Sequence, residues 1–341
     1  MKKLSLLRSS YDFTLPSELI ATSPAPTRDS SKLLVYNRAT DEITHAIFAD
    51  IEQFIPDDCA LIFNNTKVIK ARLFAKKLSG AKLELLINKP LPHNRVSVYI
   101  KGRVKVGTTM LFDQNLSADV VELVDDGSRI VEFKQSNHIV EYTTLLRTVE
   151  KIGHTPLPPY IKRQDNLDDE SNYQSVFALK EGAVAAPTAS LHFTDELHSK
   201  ICKKHTHDYI TLHIGAGTFK PVESEIITDH PMHSEYFEIT DTTKQIINST
   251  QKILCVGTTT TRTVEYFVRT RELSGEADLF LHPQNRPQRV DYLLTNFHLP
   301  ASTLIMLVAS FVGVKKTQEL YAKAIEHRYR FYSYGDAMLI I

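Results

Sequence analysis

From about Ala71 to Lys134 the chain reads as short strands broken by turn signals, and no helix interrupts them. Val96, Val98 and Ile100 alternate with Arg95, Ser97, Tyr99 and Lys101. A period of two marks a strand with one buried face. Similar runs cover 71–78, 82–89, 104–112, 118–124 and 129–134, separated by Ser79-Gly80, Lys101-Gly102, Gly107 and Asp126-Gly127. Short strands punctuated in this way fold as a small antiparallel barrel or sandwich.

The flanks have a different period. Cys59–Asn64, Tyr209–Ile214 and Ile253–Val256 are short apolar strands. Helices are expected where Thr194 caps a segment carrying Leu197 and Ile201, and where Asp241 caps one carrying Ile246 and Ile247. Thr303–Val312 is apolar all round and stops at Gly313, the pattern of a buried helix, and Thr317–Arg328 has one apolar face. Strands alternating with helices give a layered α/β domain. The fold class expected is therefore a discontinuous α/β main domain, residues 1–65 and 150–341, with an antiparallel β-barrel domain inserted at 66–149.

Composition excludes several classes. Forty Lys plus Arg balance forty Asp plus Glu, and 42% of the 341 residues are hydrophobic. Disorder and a histone-like basic field are both ruled out, so any nucleic-acid contact must be local. No apolar run approaches membrane-spanning length, and MKKLSLLRSS is broken too early for a secretory signal. Cys59, Cys202 and Cys255 form no disulfide framework, which fits a cytoplasmic chain.

Several constellations could carry chemistry. In ILCVGTTTTR (253–262) a strand passes through Gly257 into a helix, whose first N–H groups favour an anion. Thr258 and Thr259 add hydroxyls and Arg262 a guanidinium; a plain threonine-rich cap is the alternative. In LHIGAGTF (212–219), Gly215 and Gly217 allow close backbone approach to a ligand, or simply a turn. GAVAAPTASLHF (182–193) reads on residue types as a tight core crossing with His192 as a structural histidine. His230 and His233 invite a metal, but the proline between them fixes no ligand geometry, and no metal is expected. His233 and Glu235 suit a substrate loop better. YRFYSYGD (329–336) is either core or a base-stacking wall, and Asn296 and His298 flank Phe297 before the buried helix. Lys67, Arg72, Lys162 and Arg163 could follow phosphates or be a solvated face.

Together the motifs resemble the S-adenosylmethionine:tRNA ribosyltransferase-isomerase family of queuosine biosynthesis along nearly the whole chain. The matching blocks are YDFTLPSELIA (11–21), LIFNNTKVIKARL (61–73), HTPLPPYIKR (154–163), GAVAAPTASLHFT (182–194), LHIGAGTFKPV (212–222), MHSEYFEI (232–239), VGTTTTRTVE (256–265), LLTNFHLPASTLIMLV (293–308) and YRFYSYGDAMLI (329–340). Departures from the family pattern are Asn65 for Asp, Lys67 for Arg, Lys70 for Pro, Ala183 for Ser, Ser190 for Gly, and a divergent FLHPQNRPQRV at 280–290.

The resemblance implies transfer of the ribosyl part of S-adenosylmethionine to 7-aminomethyl-7-deazaguanine at the tRNA wobble position. The sugar is isomerised to give epoxyqueuosine-tRNA, and adenine and methionine leave. The expected partners are S-adenosylmethionine and this tRNA, with no further cofactor, no membrane and a monomeric chain. The chemistry asks for a base, a donor to departing adenine and anchors for the methionine end. The expected co-substrate anchors are Gly257, Thr258, Thr259, Arg262, Gly215 and Gly217, with His192, His298, Asp336 and Glu235 competing for proton transfer. A non-catalytic tRNA-binding module is the alternative.

Overall fold

The computed structural model describes residues 4–219 and 222–341; Lys220 and Pro221 of the 212–222 block lie outside the described residues, as does the start of the MKKLSLLRSS segment. The chain forms two compact units. One comprises the chain up to Thr66, Gln174–Lys180 and everything from Ala186 onward; the other comprises Lys67–Tyr173 and Glu181–Ala185. The second unit therefore continues to Tyr173, beyond the return at 150 expected from the sequence.

Along the chain, β1 (Lys32–Asn37) and β2 (Glu42–Ile47) form a hairpin, followed by β3 (Cys59–Asn64) and β4 (Thr66–Val68). Then come β5 (Arg72–Lys77), β6 (Lys82–Leu91), β7 (Arg95–Lys101), β8 (Thr109–Leu111), β9 (Leu116–Leu123), β10 (Arg129–Gln135) and β11 (His138–Ile139). Helices α1 (Tyr142–Ile152) and α2 (Leu167–Asn172) precede β12 (Lys180–Ala183), which pairs with β4. The remaining elements are α3 (Asp195–Lys204), β13 (His207–Leu212), β14 (Glu235–Ile239), α4 (Asp241–Asn248), β15 (Lys252–Val256), α5 (Thr258–Thr270), β16 (Ser274–Ala277), β17 (Tyr292–Asn296), α6 (Thr303–Val312), α7 (Val314–Glu326) and β18 (Ala337–Ile340).

In the second unit β5 to β10 close on themselves in the order β10-β7-β6-β5-β8-β9, with β9 pairing back to β10, so the expected barrel is present. The inward positions Leu73, Leu85, Val98, Met110 and Phe133 are fully buried. The expected strand over 104–112 shrinks to β8. Thr108 N–H instead donates to the Lys105 carbonyl, and Gly107 takes φ +81°, so the chain turns there.

The first unit is a nine-stranded sheet in the order β16-β14-β13-β3-β15-β17-β18-β1-β2. Interior strand β3, next to the middle strand β15, is buried at every residue, as its sequence, apolar up to Asn64, requires. Edge strand β2 carries Glu42 and His45 outward, blunting an otherwise open edge. Helix α6 is buried on nearly all sides and begins at Ser302, whose hydroxyl accepts from Ile305 N–H. Gly313, at φ +83°, ends α6 and starts α7 in one residue, so α7 begins three residues before the expected Thr317. Helix α4 is capped by Thr240, which accepts from Thr243 N–H, and the expected cap Asp241 occupies the first helical position.

The divergent 280–290 segment is tied into this unit. Arg286 donates to the Ser310 and Phe311 carbonyls at the end of α6, and Arg289 to the Ile247 and Ser249 carbonyls at the end of α4. Glu265 of α5, fully buried, accepts from the backbone N–H groups of Gln288, Arg289 and Val290, each at 2.8 Å, and from Arg269. Glu265→Ala strands these donors and should cost about 3 kcal/mol or more, read as a lower denaturant midpoint. Glu265→Gln keeps one acceptor oxygen and should lose less.

Candidate active site

Strands β13, β3, β15 and β17 are parallel, so their carboxyl ends, Leu212, Asn64, Val256 and Asn296, share one edge of the sheet. Antiparallel β18 begins at that edge with Ala337 opposite Asn296, and antiparallel β14 begins there with Glu235. Ligands in open α/β sheets sit at this edge.

Helix α5 starts there. Gly257 takes φ +96°, open to glycine and costly for other residues, and a Cβ on it would lie 3.8 Å from Ala189 Cβ. The first intrahelical bond runs from Thr261 N–H to the Gly257 carbonyl, and no side chain caps the helix. The leading amides thus form an anion-favouring end to a thirteen-residue helix. Thr260 and Thr261 turn their hydroxyls back onto the Val256 and Gly257 carbonyls, which leaves Thr258 and Thr259 at the mouth.

Asn64 ties the neighbouring strand ends together. Its Oδ1 accepts from Thr66 and Leu212 N–H, both at 3.1 Å, while its Nδ2 donates to the Leu212 carbonyl and reaches Thr259 Oγ1 at 3.4 Å. Next to it, Thr66 Oγ1 meets His213 Nδ1 at 2.8 Å.

His192 lies in a 3-10 turn, Thr188–His192, and is brought against β17. Its Nε2 is 3.2 Å from Asn296 Oδ1, its Nδ1 is 2.8 Å from Ser31 Oγ, and its ring stacks on Phe48. Asn296 donates from Nδ2 to the Tyr332 carbonyl, which fixes its Oδ1 toward the imidazole. His192 Nε2 therefore carries the proton and Nδ1 accepts from Ser31. Burial depresses its pKa to about 4, so it is a neutral, fully engaged ring.

His298 follows β17. Its Nε2 meets Thr295 Oγ1 at 2.7 Å and its backbone N–H donates to Tyr321, while Nδ1 has no hydrogen bond among the described residues. Burial depresses this ring to about 3. Asp336, 2% exposed, accepts from Lys32 N–H at 3.0 Å and Arg330 N–H at 2.7 Å, so each carboxylate oxygen braces a backbone segment. Burial raises its pKa against these donors.

Arg262, expected from its place in the motif to meet a ligand carboxylate, is instead 4% exposed and committed internally. It donates to Glu235 at 2.8 Å, to the Leu279 carbonyl at 3.2 Å and to the Ala277 carbonyl at 3.4 Å. Glu235 also accepts from Gly215 N–H at 3.1 Å, and His233 Nε2 lies 3.5 Å away. Burial alone would push Glu235 up, but Arg262, His233 and the Gly215 amide together hold it below the usual carboxylate range. Gly217 is needed for space, since a Cβ there would meet the His233 ring at 2.9 Å. His230 packs toward Phe280. Among the described residues, no three His, Cys, Asp or Glu side chains group as metal ligands.

The aromatic run 329–336 is core, not an open stacking wall, because Tyr329, Phe331 and Tyr334 are buried. Three of the four basic residues expected to follow phosphates are paired. Lys67 binds Glu181 at 2.9 Å, Arg72 binds Glu84 at 2.8 Å, and Arg163 grips Asp169 at 2.5 and 2.7 Å. Lys162 is exposed and has no ion pair among the described residues. Substituted Lys70 bonds to Glu150 and Glu170. Substituted Asn65 accepts from Thr211, whereas Ser190 Oγ is buried without a hydrogen-bond partner among the described residues.

Sequence reasoning singled out neither Asn64, Ser31, Thr66 nor Glu265. A buried asparagine ending an all-apolar strand was the available signal for Asn64.

The family model described as "Queuosine biosynthesis protein" matches residues 8–340. A relative from Sulfurimonas denitrificans, S-adenosylmethionine:tRNA ribosyltransferase-isomerase, is 62% identical over the whole of both chains. One of the same name from Aliarcobacter butzleri is 58% identical over 98% of this chain and 99% of its own. A crystal structure of S-adenosylmethionine tRNA ribosyltransferase from Thermotoga maritima is 33% identical, covers 97% of this chain and 100% of its own, and has a TM-score of 0.54.

Proposed function

The chain belongs to the queuosine biosynthesis family of S-adenosylmethionine:tRNA ribosyltransferase-isomerases, and from that membership we propose how its own residues carry out the reaction. It is a transferase-isomerase that takes its sugar from S-adenosylmethionine and delivers it to tRNA. The acceptor is the aminomethyl group of 7-aminomethyl-7-deazaguanine at the wobble position. The transferred ribosyl is isomerised to the epoxycyclopentanediol of epoxyqueuosine, with adenine and methionine released. The reaction belongs in the cytoplasm, beside tRNA.

The observation that carries this reading is the edge where four parallel strand ends meet the uncapped start of α5. The methionine carboxylate fits the Thr258 and Thr259 amides, with Gly257 giving the clearance. The sulfonium acidifies the adjacent ribose carbon, which eases the demand on the base. His298 is favoured for proton transfer because its Nδ1 is free among the described residues, whereas both His192 nitrogens and both Asp336 oxygens are engaged. Thr295 sets the tautomer: when Nε2–H donates to its hydroxyl, Nδ1 presents a lone pair. Glu235 with Arg262 shapes the Gly215–Gly217 wall, and His192 holds Asn296 in place. Of the four basic residues expected to follow phosphates, Lys162 is the one that has no ion pair among the described residues to break first.

Purified protein given S-adenosylmethionine and tRNA bearing the aminomethyl base should release adenine and methionine in equal amounts while the tRNA gains the sugar's mass. tRNA with guanine at that position should release neither. Tight tRNA binding with no consumption of S-adenosylmethionine would mean a binding module and end the catalytic reading.

A further inference from the structure

The ladder register in the second unit sets which side chains share the outer face of the barrel. Phe74 on β5 stands opposite Glu84 on β6, and Glu84 opposite Lys101 on β7. In the next row Arg72, Leu86 and Tyr99 align; in the row on the other side Lys76 is flanked by Lys82 and, on β8, by Leu111. The intervening residues Leu73, Ala75, Leu83 and Leu85 point inward and are buried.

In these three rows four side chains are cations, Arg72, Lys76, Lys82 and Lys101, and Glu84 is the one carboxylate. Glu84 is occupied by Arg72 at 2.8 Å, with Lys101 at 4.0 Å. Lys76 and Lys82 face each other directly, and neither pairs with a carboxylate among the described residues. Like charges directly opposite in a ladder repel, a cost that a bound anion removes.

Phe74 lies beside them, 46% exposed, although large apolar side chains usually seek burial. The ring is not loose. The Arg72 guanidinium lies 5.2 Å from its centroid, and His154, itself held by Asp165 at 3.1 Å, packs edge-on at 5.0 Å. An exposed aromatic ring fixed in orientation on a face that also carries lysines is how proteins engage unpaired nucleotides: the ring takes a base and the cations take the flanking phosphates.

We infer that the outer face of β5, β6 and β7 is an RNA-contacting platform, on which Phe74 stacks an unpaired base of the tRNA and Lys76, Lys82 and Lys101 hold its phosphates. This rests on tRNA being the substrate and adds a contact surface lying wholly within the second unit. It also accounts for Arg72, whose internal pairing with Glu84 orients the aromatic ledge.

The test uses the full chain, titrated with the substrate tRNA across a range of salt concentrations. Phe74→Ala should weaken binding roughly tenfold, the loss of one base–aromatic stack, and leave the salt slope unchanged. Lys76→Ala combined with Lys82→Ala should lower the salt slope by about two. All three positions are exposed, so thermal midpoints should match the parent and exclude unfolding as the cause. A parent protein that bound no tRNA would overturn the substrate reading and the platform with it. Normal tRNA binding by the parent and both variants alike would overturn the platform alone, and a face serving an acidic protein would give that result.

Discussion

Replacing Arg262 with alanine should lower stability by about 3–5 kcal/mol and abolish release of adenine from S-adenosylmethionine. Arg262 lies 2.8 Å from Glu235, and both are almost entirely enclosed. Truncation leaves the Glu235 carboxylate buried with only the Gly215 amide and a nearby imidazole to offset its charge. The acid response should change sign as well. In the parent, Glu235 is held below its unfolded value, so its contribution is complete above that value and is lost as pH falls through the lower folded value. Without Arg262, burial dominates, the carboxylate titrates above its unfolded value, and this group gains stability as pH falls. The combined Glu235→Gln, Arg262→Met variant separates structure from function: removing both charges should restore most of the stability. Its Michaelis constant for S-adenosylmethionine should remain raised, because the Gly215–Gly217 wall has lost its anchor. Normal kinetics in that double variant would reduce the pair to a structural contact.

The second large effect is acid instability set by histidines. His192 and His298 fall from an unfolded value near 6.5 to about 4 and about 3 in the fold, because burial penalises the imidazolium. Between the folded and unfolded values the unfolded chain binds the extra protons, so stability is complete above about pH 6.5 and falls as pH drops toward 4. Each ring contributes about 1.4 kcal/mol per pH unit in that window. His213 and His198 are lowered in the same direction and, being less buried, add less. Unfolding midpoints measured from pH 7 to pH 4 should therefore fall steeply, and His298→Gln should flatten the slope by about one such increment. An unchanged slope in a variant lacking both rings would show that the two histidines are not buried neutral.

Features set by local pattern were legible in the sequence. Alternation in Val96–Lys101 identified a barrel wall, and the uninterrupted apolar run Thr303–Val312 identified a buried helix. The strand–Gly257–helix turn was likewise visible, because glycine and threonine at a helix start have local causes. What was not legible depends on partners distant in the chain. Arg262 on α5 looks like a ligand-binding arginine until β14 brings Glu235, 27 residues away, against it. Lys67 looks like a free cation until Glu181 returns beside it, 114 residues on. Asn64 is marked only as the polar end of an apolar strand; its work, satisfying the backbone of Leu212, lies 148 residues away. The nine aligned blocks carried the family, while side-chain roles within them needed the packing.

A crystal structure with S-adenosylmethionine bound tests the central assignment most directly. The methionine carboxylate should lie within hydrogen-bond distance of the Thr258 or Thr259 amide, with the ribose facing His298 Nδ1. A donor seated away from the carboxyl ends of β3, β13, β15 and β17 would contradict it.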